Sequence, residues 1–235
     1  MKKQPKLSFK VYSNNRLQPV SFHGQPTSPL YIQVIYNKKP IYFKSSYFDQ
    51  LSHPKYAIQS ILGHQPPVSD QIVALEERLL GHLTNKYSDD FQLDTFKREY
   101  YLLSYDLLFT LEEGFQRYLT TFFQDQGLPV LSFLVAAGGT RSTSEHILND
   151  LKISLDKQLF RKLTEGAVHY APPYIPLCAF LRSSKRQIVP ILSVQEWTSV
   201  NFKSDFKAFL HANYPGYDFD QIEQYTIKLM QAYQK

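Results

Sequence analysis

Cysteine is nearly absent from this 235-residue chain; Cys178 is the only one. A single thiol excludes an internal disulfide and any metal site built from several cysteines. Between Leu177 and Ala179 it reads as a small buried hydrophobe. Long apolar runs are missing as well. The longest nearly uncharged stretch, Leu128 to Gly138, covers about half of a membrane span. Lys2, Lys3 and Lys6 open the chain, but no apolar segment of signal-peptide length follows them. These absences imply a soluble, cytoplasmic chain with no membrane partner. Low-complexity tracts and repeats of about 20–50 residues are also absent.

Acids are scarce in one place only. Residues 1–68 hold nine Lys/Arg against the single acid Asp49, a net charge of +8, whereas the remaining 17 bases and 20 acids leave −3. A basic segment fused to a mildly acidic body points to a polyanionic partner for the segment.

Recognisable catalytic chemistry is lacking too. The seven histidines (His23, His53, His64, His82, His146, His169 and His211) are scattered, and no pair stands at metal-ligand spacing beside a carboxylate. No nucleophile elbow, H-E-x-x-H helix or kinase set occurs. The adjacent carboxylates Asp89-Asp90 and Glu112-Glu113 diverge from each other on a helix or turn. No catalytic residue, metal ligand or cofactor is therefore expected. A divergent metal-dependent nuclease, its acids close only in space, stands as an alternative.

Aromatic residues are plentiful, at 15% of the chain. Several fall in the organising stretch Pro29 to Phe48. Leu30, Ile32 and Val34 alternate with Tyr31, Gln33 and Ile35; Asn37-Lys38-Lys39 interrupts, and Ile41, Phe43 and Tyr47 continue beside Tyr42 and Lys44. Two β-rich runs around a short polar turn read as a hairpin. Leu7, Phe9 and Val11 alternate with Ser8, Lys10 and Tyr12, which adds a first strand; His23 to Pro29 reads as a loop. Three strands are marginal alone, so a helix should cover one face.

Pro66 to Ser69 sets an N-cap, and Ile72, Leu75, Leu79 and Leu83 recur at helical spacing around Glu76, Glu77 and Arg78 until Ser88-Asp89-Asp90. A second helix from about Asp94 carries Phe96, Tyr100, Leu103 and Leu107. Thr110 to Glu113 fits a capping box for a third, with Phe115, Leu119 and Phe122. The class expected is α+β: a small amino-terminal three-stranded antiparallel sheet with a mostly helical body.

The order of "SPLYIQVIYNKKPIYFKSSYF", "IVALEERLLGHLTNKY", "FQLDTFKREYY" and "TLEEGFQRYLTTFFQDQG" resembles the amino-terminal half of tyrosine recombinases, the integrases of phages and conjugative transposons. The resemblance covers roughly residues 7–125. It implies an arm-type DNA-binding sheet followed by the start of a core-binding helical domain, with Lys38, Lys39 and Lys44 the best-matched contacts. The catalytic part is missing: no His has Arg three positions later, and Gly138 to Glu145 has only a passing likeness to the first catalytic arginine turn. The resemblance thus implies a DNA-binding relative of mobile-element integrases, with an accessory or regulatory role in DNA recombination and no catalysis of its own.

The second half carries further candidates. Gly138-Gly139-Thr140-Arg141-Ser142 reads either as an anion nest using Arg141 or as a loop closing into a capping box, Ser142 with Glu145; the cap is preferred. Tyr170 to Pro176 reads as a stiff extended strut. Ala179-Phe180-Leu181 and Ile188 to Leu192 bracket Arg182, Lys185 and Arg186 as a second hairpin with a basic turn. Trp197, Phe202, Phe206, Phe209 and Leu210 share a helical stripe, and Ile222, Tyr225, Leu229 and Met230 build a last helix after the Tyr214 to Tyr217 turn.

Three segments follow: 1–68 as a basic β DNA-binding segment, 69–127 as a helical core-binding-like region, and 128–235 as a mixed, mostly helical region. The function expected is non-catalytic binding of double-stranded DNA. Arg16, Lys38, Lys39 and Lys44 would neutralise phosphates, and Tyr31, Gln33, Tyr42 or Ser45 would read base edges. Arg141, Arg182, Lys185 and Arg186 are the contacts expected from the second half. A protein-interaction subunit, docking a protein partner through its aromatic surface and the Tyr170 to Pro176 strut, is the other alternative.

Overall fold

The computed structural model describes residues 7–56, 69–87, 91–184 and 191–233, with side chains up to Gln231. It is α+β, as expected, and divides into two compact units: Met1–Tyr105 with Ser193–Gln195, and Asp106–Leu192 with Glu196–Lys235. The division falls after Tyr105 and coincides with neither expected boundary. Two helices assigned to the middle segment complete the sheet's own core instead. Among the described residues no helix is long and apolar enough to cross a membrane.

In the first unit β1 (Ser8–Ser13), β4 (Leu30–Tyr36) and β5 (Lys39–Lys44) form an antiparallel sheet in the order β1-β4-β5. The period-2 alternation holds: Leu30, Ile32 and Val34 are buried, while Tyr31, Gln33 and Ile35 between them are half-buried. Pairing of Val11 with Ile32, and of Ile32 with Phe43, gathers the buried residues onto one face. The loop expected at His23 contains a second small hairpin, β2 (Val20–Phe22) with β3 (Gln25–Thr27), turning through His23 and Gly24 at positive φ. Phe22 stacks on Phe48 with ring centroids 4.9 Å apart.

Strand β5 stops sooner than the alternation suggests. Ser45 caps α1 (Ser46–Leu51), its Oγ accepting from the Phe48 N–H, and Tyr47, Phe48 and Leu51 turn inward. Helix α2 (Ser69–Lys86) buries Ile72, Leu79 and Leu83 of its expected stripe, together with Leu80, while Leu75 is only half-buried, and it packs against β1, α1 and α3 (Leu93–Leu103). The breaker Ser88-Asp89-Asp90 lies outside the described residues.

Glu76, one of the charged residues between the apolar positions of α2, is fully buried. Ser45 Oγ donates to its Oε1 at 2.6 Å, Tyr100 OH donates at 2.8 Å, and the Tyr47 N–H donates at 3.2 Å. Burial in the apolar layer pushes its carboxyl up to about 7, and these donors only partly offset that desolvation.

The second unit is helical. Helix α4 (Leu107–Asp125) begins at an Asp106 cap, so Thr110 lies inside it and is no cap. Its Leu111, Phe115, Leu119 and Phe123 form the centre of the core. Packed on α4 are α5 (Pro129–Gly138), α6 (Ser144–Ser154), α7 (Lys157–Tyr170) and α8 (Tyr174–Ser183). Phe115 stacks on Tyr174 at 4.7 Å. After α9 (Val194–Trp197), helices α10 (Val200–Asn213) and α11 (Phe219–Tyr233) complete the chain, with Trp197, Phe206 and Ile222 fully buried.

Glu76 sets a pH dependence. Folded, it holds its proton up to about pH 7; unfolded, it releases it near 4.5. The folded state binds the extra proton between those values, so this contribution is complete below about pH 4.5 and is lost as pH rises through about 7. The loss is on the order of 3 kcal/mol. Denaturant titrations between about pH 5 and about pH 8 should show stability falling with pH. Glu76→Gln should flatten that difference, and an equal slope in the variant would refute the assignment.

Candidate nucleic-acid interface

Because one face of the sheet is taken up by the core, the alternation turns every second residue of β1, β4 and β5 the other way. The register sets Lys10 beside Gln33 and Gln33 beside Tyr42, then Tyr12 beside Tyr31 and Tyr31 beside Lys44. These six side chains form two cross-strand rows on the open face. Lys10, Tyr42 and Lys44 are exposed, Tyr42 at 55%; Tyr12, Tyr31 and Gln33 are half-buried by their neighbours. Gln33 Nε2 donates to Tyr42 OH at 3.0 Å, and the Tyr12 and Tyr31 rings lie 6.5 Å apart. The Gln33 carbonyl oxygen and the Tyr42 hydroxyl proton are left for an outside partner.

No Asp or Glu occurs in the three strands. Asp49 of α1 interacts with Lys44; burial raises its carboxyl and Lys44 draws it back down. The face is therefore basic and aromatic. At the end of the hairpin Asn37 and Lys38 hold φ of 50° and 64°, the two left-handed positions of a type I′ turn. That turn leaves Lys38 and Lys39 exposed.

Tyr31, Gln33, Tyr42 and Lys44 thus share a face, with Lys38 and Lys39 at its hairpin end. Arg16 is exposed beyond the end of β1, at the opposite end of the sheet, its N–H donating to Asn14 Oδ1. Lys10 and Tyr12 join the face without having been chosen. The signal was present, since Lys10 and Tyr12 alternate with Phe9 and Val11, but only the register with β4 shows them beside Gln33 and Tyr31. Ser45 does not belong there: it is buried and bonded to Glu76.

Of the candidates of the second unit, Arg141 and Arg182 lie among the described residues. The Arg141 and Ser142 N–H groups both donate to the Gly138 carbonyl, so the glycine turn satisfies itself and forms no anion nest. Arg141 is exposed. The cap of α6 is Thr143, whose Oγ accepts from the His146 N–H, one residue later than expected.

Ala179 to Leu181, the first arm of the expected second hairpin, and Tyr174 to Pro176, the end of the expected strut, form part of α8 instead, while Ile188 to Pro190 of the second arm lie outside the described residues. Pro176 sits in the first helical turn, where a missing N–H costs no intrahelical bond, and Leu177, Cys178 and Leu181 are buried along one side. Arg182, near the end of α8, pairs through Nε with Glu145 Oε1 at 2.5 Å, so a structural ion pair occupies the expected DNA contact. Lys185 and Arg186 lie outside the described residues. Among the described residues no group of three or more His, Cys, Asp and Glu is placed to hold a metal ion.

No family model matches the chain, and no curated protein or solved structure matches it.

Lys38 is a non-glycine residue in the left-handed region, which costs roughly 1 kcal/mol. Lys38→Gly should therefore stabilise the chain by up to about 1 kcal/mol in denaturant titration. A destabilised variant would show that the lysine side chain, not the turn geometry, dominates there.

Proposed function

We propose that the chain binds double-stranded DNA through the open face of its three-stranded sheet and performs no chemistry on it. One observation carries this reading: an acid-free face with lysines on both edge strands and polar side chains on the central one. Strands about 4.8 Å apart place β1 and β5 roughly 10 Å from each other. A major groove about 12 Å wide has walls of phosphate and a floor of base edges. Lys10 and Lys44 then stand nearest the walls, Gln33 and Tyr31 nearest the floor, and Lys38, Lys39 and Arg16 extend the phosphate contacts along the groove.

Phosphate contacts position the protein and set its salt dependence, and an amide such as Gln33 discriminates adenine by paired hydrogen bonds. The likeness in element order to the DNA-binding half of integrases supports the same reading, with an accessory or regulatory role in a mobile element. The rival reading, a protein-interaction subunit, loses Tyr174 to Pro176 of its strut to helix α8.

Anisotropy titration of a labelled duplex at two salt concentrations tests the proposal. The full chain should bind with a steep salt slope, and Lys10→Ala with Lys44→Ala should reduce that slope by about two. Lys38→Glu with Lys39→Glu should weaken binding about tenfold or more, with the circular dichroism spectrum unchanged. Unaltered affinity in both pairs would sink the proposal. Equal or tighter binding to either single strand would assign the tyrosines to base stacking instead.

A further inference from the structure

Three helices of the second unit, α6, α7 and α8, and the turn after α10 surround a cavity of about 450 Å³. Small-molecule sites have this size, with mostly apolar walls and a few polar groups converging on them. Helix α6 lines it with Glu145, Leu148, Asn149 and Lys152, the i, i+3, i+4, i+7 spacing of one helical side. Phe160 and Val168 of α7 supply an apolar wall, and Tyr214 and Tyr217 line it from the turn. Tyr174 and Cys178, one turn apart on α8, are its two buried lining residues, and their side chains are hydrogen-bonded to each other.

The charges at this cavity do not cancel. Glu145 is paired with Arg182, and Glu165 with Arg161 at 3.6 Å. Lys152 is paired with no acid among the described residues, which leaves one positive charge uncompensated. Buried Glu112 does not line the cavity; it accepts from the Ser144 N–H at 2.5 Å, so the positive end of α6 answers its charge. Arg182 keeps donors to spare, because a guanidinium has more N–H groups than one carboxylate engages. Half-buried Asn149, on the same side of α6 as Lys152, adds an amide donor.

We propose that this cavity binds an apolar organic monocarboxylate, its body among Leu148, Phe160, Val168 and the tyrosine rings, its carboxylate held by Lys152, Arg182 and Asn149. The single uncompensated charge selects the head group. A monocarboxylate neutralises it, whereas a phosphate dianion would keep an unpaired charge beside apolar walls. A cation would meet Lys152 and Arg182 as like charges, and a neutral head would forgo the charge-assisted hydrogen bonds that both residues offer. The inference rests on the second unit alone and stands whether or not the sheet binds DNA.

Calorimetric titration of the full chain, free of nucleic acid, with decanoate tests it. Wild type should bind with a dissociation constant of about 1–100 µM, and decanol and decyltrimethylammonium should each bind about tenfold more weakly or worse. Lys152→Glu, a change at an exposed side chain, should weaken decanoate binding about tenfold or more. Ala179→Trp, which fills the cavity from α8, should abolish binding with an unchanged circular dichroism spectrum. If the tryptophan variant does not fold, Lys152→Glu still decides the question. No binding of decanoate at about 1 mM overturns the proposal, and so does equal or tighter binding of the decyl alcohol or the decyl cation. Decanoate binding that survives either substitution in a folded chain overturns it equally.

Discussion

A buried carboxylate organises the amino-terminal unit. Glu76 lies among apolar side chains, where an unpaired charge would cost several kcal/mol, and every polar group that meets it is a donor: Ser45 Oγ, Tyr100 OH and the Tyr47 N–H. Ser45 also caps α1, and Tyr100 OH accepts from the Ser46 N–H. One side chain of α2 thereby joins the end of β5, the start of α1 and the middle of α3. The chain must turn at Ser45 because only that turn delivers these donors to the carboxylate.

This constraint decides which side of the sheet is free. With α1, α2 and α3 tied together, the face bearing Leu30, Ile32, Val34 and Phe43 is closed, and the opposite face keeps Lys10, Tyr12, Tyr31, Gln33, Tyr42 and Lys44. A thin sheet with one wet face concentrates whatever the alternating positions carry. Here they carry cations, phenols and an amide with no acid among the strands, a surface suited to a polyanion.

The helical unit follows a different rule. Its core is built around α4, whose Phe115 and Leu119 are fully buried, and an ion pair between Glu145 and Arg182 joins α6 to α8. Its exposed large hydrophobic side chains include Val130, Phe133 and Leu134 of α5, with Ile153, Tyr170 and Val200 elsewhere.

Patterns of period 2 and 3.6 were enough to place β1, β4, β5 and the stripes of α2 and α4, because local backbone geometry alone sets which residues share a face. The Asn37-Lys38 turn was legible for the same reason. Lys10 and Tyr12 remained separate from Gln33 and Tyr31 until strand register joined them, since pairing brings together residues distant in the chain. Arg182 read as a DNA contact and Glu76 only as one of the charged residues between apolar positions, because a charge shows its partner only when another element arrives beside it. The helix in place of a second hairpin was decided likewise: an apolar run of five or six residues suits either state, and burial of Leu177, Cys178 and Leu181 against α4 selects the helix. Local periodicity therefore wrote the elements and the composition of each face, while tertiary packing chose which faces stay open and which charges are spent on the protein itself.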